Sequence, residues 1–265
     1  QMQGVTHYMI DEWNPDEEFN VMIFQKRVKE IMEDIYNRGK IPILVGGTGF
    51  YIQAVLNDIA FTKEKQGDEI RADLQNLAKE KGASYLHYEL QKVDKESAEA
   101  IHPNNIKRVI RALEYFQSTG QKFSDHNKEE RQKGSPYNFL YLVLTMNRKV
   151  LYERIDKRVD QMMEEGLVKE VKQLLDAGYS RNLVSMQGLG YKEIASALFK
   201  ECTMEEAVYR LKRDTRHFAK RQMTWFRRER DVTMINKDNF SNNHEIVNYI
   251  MKLAVEKGIC SCREG

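Results

Sequence analysis

Apolar residues recur every three to four positions from Phe19 onward, at Met22 or Ile23, Phe24, Val28, Ile31 and Ile35, and predict a helix that ends at Asn37-Arg38-Gly39. The run that follows, Ile41-Pro42-Ile43-Leu44-Val45, is short and almost wholly apolar, the type buried in a parallel sheet. Gly46-Gly47-Thr48-Gly49 then interrupts, and helical spacing resumes from Phe50 to Leu56. The order is strand, glycine turn, helix. From Asn57 to Glu130 the chain is charged and helical, punctuated by Pro103 and Gly120, and reads largely as a helical insertion. A β-type run returns at Phe139 to Thr145, and two helices follow, Arg148 to Glu165 and Leu167 to Ala177, closed by Gly166 and Gly178. A capping box, Thr203-Met204-Glu205-Glu206, opens a long basic helix. The tail after Asn236 is polar except for an amphipathic stretch from Ile246 to Val255. At the other end, Gln1 to Asp16 opens without a strand or cap, as the middle of a domain would, so a preceding segment is expected.

Composition narrows the class. A chain of 265 residues can bury a real core, in one large domain or a domain carrying an insertion. With 41% hydrophobic and 31% charged residues it is neither disordered nor membrane-like, and no apolar run approaches the roughly 18 residues of a span or the pattern of a signal peptide. A cytoplasmic location is expected. Cys202, Cys260 and Cys262 lack paired spacing, which points to reduced thiols and no metal cage. The net charge of +2 conceals an asymmetry: Arg210 to Arg230 holds nine basic and two acidic residues, +7, leaving −5 elsewhere. That is the footprint of a polyanion binder, or of a solvated helix face.

Four features carry candidate chemistry. The glycine turn after a buried strand lets backbone N–H groups approach an anion at a helix start, although it also suits a plain strand-helix connection; no G-x-x-x-x-G-K-[ST] loop exists in the sequence. Arg154 and Arg158 stand four apart, so two guanidinium forks project from one helix face and can clamp a diphosphate, unless Asp156, Asp160 and Glu164 serve as ordinary surface partners. Lys107, Arg108 and Arg111 follow His102-Pro103-Asn104-Asn105 as a basic stripe over Val109, Ile110 and Leu113; Arg71 reads as surface charge. On the basic helix, Arg213, Arg216, Lys220, Thr224 and Arg227 form a stripe suited to phosphate, while Leu211, Phe218, Gln222 and Trp225 form one suited to core. Trp225 can stack on a base, but its stripe argues for packing.

Five blocks together resemble the tRNA dimethylallyltransferase family in order and spacing: Gly46 to Tyr51, His102 to Glu114, Arg154 to Met162, Gln187-Gly188-Leu189-Gly190-Tyr191-Lys192, and Ala219 to Phe226. The resemblance implies an α/β fold, a P-loop-type parallel sheet flanked by helices. The core would span residues 1–57 and 129–236, a mainly helical insertion contacting tRNA residues 58–128, and a C-terminal helix and tail residues 237–265. The implied reaction moves a dimethylallyl group from its diphosphate to N6 of adenine 37, beside the anticodon of tRNAs that read codons beginning with U. It needs a base extruded from a loop, a dry channel, and positive charge at the departing diphosphate.

By resemblance, Arg158, with Arg154, takes the diphosphate. Thr48 and Arg71 match positions that meet substrate tRNA. Lys107, Arg108 and Arg111, then Gln187, Gly188, Gly190, Tyr191 and Lys192, then Lys220, Arg221, Gln222, Thr224 and Arg227 match three further RNA-contacting stretches. The family's P-loop and its general-base aspartate have no counterpart in the sequence and are expected upstream of Gln1, so no catalytic residue is assigned in this chain. A Mg²⁺ ion on the diphosphate is implied, its protein ligand outside the chain. The expected partners are the tRNA anticodon stem-loop and dimethylallyl diphosphate, with no membrane, acting on a monomer. Two alternatives remain: a nucleotide kinase of related fold using Arg154 and Arg158 as a phosphate lid, and a non-catalytic tRNA-binding fragment.

Overall fold

Asn20 starts the first helix by accepting the N–H groups of Met22 and Ile23 on its side-chain oxygen, at 2.9 and 3.1 Å. Helix α1 (Val21–Asn37) then buries Val28 and Ile31 along the face its sequence predicts. Its Gln25 amide donates to the Ala54 carbonyl (2.7 Å) in α2 (Gly49–Leu56), and Phe24 packs on Tyr51 with ring centroids 4.9 Å apart. The computed structural model describes residues 4–61 and 67–261. The chain divides into one unit of residues 1–55 with 137–265 and another of residues 56–136.

Residues Ile41 to Val45 depart from expectation. They form no strand, and Ile43 and Val45 are 83% and 87% exposed. An all-apolar run is buried in a parallel sheet only when neighbouring strands pair its edges and helices cover both its faces. Among the described residues no strand lies beside it.

The elements of the unit of residues 56–136, among its described residues, are helices: α3 (Gly67–Lys81), α4 (Ala83–Val93), α5 (Lys95–Ala100), α6 (Ile106–Thr119) and α7 (Phe123–Gln132). Leu74, Leu86, Leu90, Ile101, Val109 and Leu113 make its core, and each such side chain contributes about 1.5–3 kcal/mol by leaving water. A buried acid ties two helix starts together. Asp94, 1% exposed, accepts the Ser97 N–H at the start of α5 (3.0 Å) and the Ser124 N–H at the start of α7 (2.9 Å). Burial by itself pushes this carboxyl up, but the hydrogen bonds from Ser97 and Ser124 outweigh it and hold Asp94 below its ordinary value.

The other unit continues with β1 (Tyr141–Thr145), α8 (Arg148–Glu164), α9 (Leu167–Asp176), α10 (Tyr191–Leu198), α11 (Met204–Phe226), β2 (Val232–Asn236) and α12 (Asn243–Glu256). Gly166 (φ +104°) separates α8 from α9 and Gly178 (φ +93°) follows α9, both in the left-handed region that a side chain disfavours. The Thr203 capping box forms as expected, with Thr203 Oγ1 accepting from Glu206 N–H and the Glu206 carboxylate accepting from Thr203 N–H. Val159, Leu167, Val171, Met186, Ile194 and Leu211 form the core of these helices. Strands β1 and β2 pair in parallel from Tyr141↔Val232 to Thr145↔Asn236, so the fold is α/β, mostly helical with a small parallel sheet. Tyr141 is 8% exposed and packs edge-on against Phe226 (6.2 Å). Its hydroxyl has no hydrogen-bond partner among the described residues, and burial, aided by the Glu229 charge, pushes it up to about 12.

Candidate functional site

The glycine turn and the end of the basic helix meet. Gln222, in the last turns of α11, donates its side-chain amide to the Gly47 carbonyl at 2.8 Å. One turn further on, Trp225 lies so close to Gly49 that a Cβ there would stand 2.2 Å from the indole Nε1 and Cδ1. A Cβ at Gly49 would run into the indole ring, and one at Gly47 would displace the end of the Gln222 side chain; neither glycine is there for an unusual φ. Thr48, between them, is exposed, and its carbonyl opens α2 by accepting from Tyr51 (3.0 Å) and Ile52 (3.2 Å). The stripe expected to face core is fully buried only at Leu211; Phe218 and Trp225 are 38% and 40% exposed, and Trp225 lies against the glycine turn, which has little side-chain bulk to cover it. Phe226, outside that stripe, is buried instead.

The expected phosphate stripe is also divided. Lys220, Thr224 and Arg227 are exposed, as is Arg221, whose guanidinium lies over the Phe218 ring at 5.7 Å. Lys220, Arg221 and Arg227 have no carboxylate partner among the described residues. Arg216 leaves the stripe: it reaches Asp156 of α8 at 2.5 Å, while Lys212 reaches Asp160 at 2.5 Å. Arg213 is answered by Asp214 at 2.8 Å, and that hydrogen bond holds the Asp214 carboxyl below its ordinary range.

These ion pairs bear on the candidate diphosphate clamp. Asp156 and Asp160, offered by sequence as surface partners of the clamp arginines, belong to α11 instead. Two positions along a helix is about 200° of rotation, so Arg154 and Arg158 point well away from those aspartates. Both are exposed and without an ion-pair partner among the described residues.

The stretch Gln187 to Lys192 straddles a short 3-10 turn (Ser185–Gln187) and the start of α10. Gln187 donates to the Arg181 carbonyl (2.7 Å), and Gly188 is exposed. Gly190 sits at φ +101° against Leu167, and its N–H meets Glu193 Oε2 at 2.8 Å. Tyr191 donates its hydroxyl to Glu170; burial first, and that carboxylate second, push it up to about 12. Lys192 is exposed, 3.4 Å from the buried Glu193 carboxylate. With Arg181, Arg210 and Arg213 it lines a cleft of about 570 Å³ that Cys202 also reaches. Cys260 is a free thiol, and Cys262 lies outside the described residues.

In the unit of residues 56–136, Lys107, Arg108 and Arg111 stand exposed on α6 opposite the buried Val109, Ile110 and Leu113. Arg71 is more than surface charge. Its guanidinium grips Glu114 with contacts of 2.8, 3.1 and 3.2 Å, and Arg111 adds one at 3.4 Å. Glu114 is 4% exposed, an acid in the middle of the apolar face of α6, and this was the sequence signal for a buried partner. Removing one partner of such a pair strands the other charge. Arg71→Ala is expected to cost this unit about 2 kcal/mol, less than for a fully buried pair because Arg71 is itself half in water. Faster amide hydrogen exchange in α3 and α6 would show it, and Arg71→Ala/Glu114→Gln should recover most of the loss. A protein whose tRNA affinity falls while exchange stays unchanged would return Arg71 to direct contact.

The family pattern described as IPP transferase matches residues 1–229. A tRNA dimethylallyltransferase of Lachnoclostridium phytofermentans is 56% identical over 98% of this chain and 83% of its own length. The crystal structure of a tRNA isopentenylpyrophosphate transferase from Bacillus halodurans superposes with a TM-score of 0.68 at 42% identity, covering 97% of this chain and 81% of that one. A eukaryotic dimethylallyltransferase acting on tRNA superposes with a TM-score of 0.75 at 26% identity, over 94% of this chain and 67% of that one.

Proposed function

This chain belongs to the IPP transferase family, and from that premise we propose that it works as a tRNA dimethylallyltransferase. The reaction joins N6 of adenine 37, in the anticodon loop of tRNAs reading codons that begin with U, to C1 of dimethylallyl diphosphate. The C1–oxygen bond breaks, diphosphate leaves, and N6 gives up a proton. The observation that carries the reading is the exposed cationic end of α11 seated on the glycine turn, where Lys220, Arg221 and Arg227 offer charge that no carboxylate among the described residues consumes. Arg154 and Arg158 are the groups that meet the diphosphate, since bidentate guanidinium suits phosphate oxygens and both forks are unclaimed. Lys107, Arg108 and Arg111 supply a second basic stripe for the anticodon stem-loop. The nucleotide-kinase alternative is set aside because the relatives carry the transferase name.

Mg²⁺ riding on the diphosphate would offset charge on the leaving group. Among the described residues no group of three His, Cys, Asp or Glu side chains stands together to hold such an ion. No helix among these residues is long and apolar enough to cross a membrane. The reading puts the protein in the cytoplasm with its tRNA, as a monomer.

The test is direct. Full-length protein given tRNA and dimethylallyl diphosphate labelled in the prenyl group should place label at position 37; label that stays off tRNA, or appears at another base, overturns the reading. Neutralising Lys220 and Arg221 together should weaken tRNA binding and reduce its salt dependence by a slope of about one per lost phosphate contact. Titrations across salt concentrations measure this, and an unchanged slope would make the helix ordinary surface.

A further inference from the structure

Lys220, Arg221, Gln222 and Thr224 lie within one turn of each other, yet the structure uses them differently. The Lys220, Arg221 and Thr224 side chains are exposed, whereas Gln222 is half-buried and its amide is spent on the Gly47 carbonyl at 2.8 Å. Trp225, three residues on and so on the same side of the helix, presents its indole edge to Gly49. Two side chains one helical turn apart thus touch two glycines that flank one exposed residue, Thr48. A Cβ on Gly47 would stand 2.2 Å from Gln222 Nε2, and a Cβ on Gly49 2.2 Å from Trp225 Nε1. The contacts are as close as backbone allows, and they pin the turn at both ends.

We propose that Gln222 and Trp225 are positioning residues, a two-point brace from α11 that fixes the Gly46–Gly49 turn and with it Thr48, and that Gln222 acts on the reaction through Gly47 rather than by touching RNA. The proposal rests on the functional reading above, together with the family resemblance by which Thr48 matches a position that meets substrate tRNA. A turn of three glycines around one threonine has wide conformational freedom of its own, because glycine populates backbone regions closed to other residues. Without the brace Thr48 would sample many positions; with it, Thr48 is held where α2 begins. Catalysis is sensitive to such placement: an error of about 1 Å in a positioned group can cost about 100-fold in rate. The brace also links the two functions of α11. The face that carries the cations binds, and the face that carries Gln222 aligns.

Five variants of the full-length protein test this. Gln222→Met keeps the size and the neutral charge but removes the donor to the Gly47 carbonyl. It should lower kcat about 10- to 100-fold while tRNA affinity and its salt slope stay at wild-type values. Lys220→Ala should do the reverse, weakening tRNA binding and flattening the slope. Gly47→Ala should impair turnover by collision with Gln222, and Gly47→Ala/Gln222→Ala should be no worse than Gln222→Ala alone, because the collision is gone. A readout independent of activity is the emission of Trp225 in a Trp13→Phe background, expected to shift to longer wavelength when Gln222 is replaced and the turn moves away.

The proposal is overturned if Gln222→Met weakens tRNA binding and flattens its slope as Lys220→Ala does, if kcat is unchanged, or if Trp225 emission does not respond. A wild-type protein that transfers no prenyl group to tRNA would instead sink the functional reading, and the role given to the brace with it, even where the emission shift shows the contact itself to be real.

Discussion

Arg158→Ala is expected to lower prenyl transfer by about 10²- to 10³-fold while leaving tRNA affinity almost unchanged, the size of effect seen when a donor aimed at developing negative charge is removed. The expectation rests on what Arg158 does not do in the fold. It is exposed on α8, it has no carboxylate partner among the described residues, and the acids two positions to either side are held by Lys212 and Arg216. Its loss should therefore leave the packing of α8 intact. Single-turnover rates with saturating tRNA, together with tRNA binding measured separately, check this. Equal loss in both would mean that Arg158 contacts RNA and that the diphosphate is met elsewhere. Arg154→Ala should be milder than Arg158→Ala and the double variant less than additive, because two forks on one ligand act as a unit.

Asp94→Ala is expected to destabilise the unit of residues 56–136 by about 3 kcal/mol. It removes a helix cap and leaves two buried N–H groups, of Ser97 and Ser124, without acceptors. Asp94→Asn keeps one acceptor oxygen and should fall between. The pH dependence has a definite sign. The folded carboxyl lies below its ordinary value of 3.8, so the folded state binds fewer protons than the unfolded chain in that range. The stability Asp94 adds is complete above about pH 4 and is lost as pH falls through the folded value. Denaturant unfolding of the wild type should weaken below pH 4, and that limb should be shallower in Asp94→Ala. An equally steep acid limb in the variant would assign it to other carboxylates.

Much of the helical framework was legible because helices write their ends into the sequence. The Thr203 capping box and the glycines after α8 and α9 mark boundaries to within about a residue, as caps, glycine stops and 3.6-residue spacing should. Strand β1 was found from its apolar run, but β2 was missed: Val232 to Asn236 is short, follows Asp231 in a left-handed conformation (φ +57°), and buries only Ile235 deeply. Ile41 to Val45 failed for the opposite reason. Its pattern is that of a buried strand, yet burial is a property of neighbours, which a run of apolar residues does not carry. The candidate site shows the same division. Exposure of Lys220 and Arg227 followed from periodicity, whereas the capture of Arg216 by Asp156, of Arg71 by Glu114 and of Gln222 by Gly47 depends on residues 60, 43 and 175 positions away. Periodicity gives the face of a helix; it does not say what packs there.

The parallel pairing of β1 with β2 sets an order of events in folding. Tyr141 and Val232 are 91 positions apart, and everything between them is α8 to α11 with their connections. Closing an unstructured loop of that length costs on the order of 4 kcal/mol in chain entropy before any ladder bond is formed. Helices already packed around Val159, Ile194 and Leu211 would shorten the effective loop, so the strands are expected to meet late, after those helices have packed. A substitution in that helical core then delays the sheet without touching a strand, and a nascent chain released before residue 236 has helices but no ladder to close them.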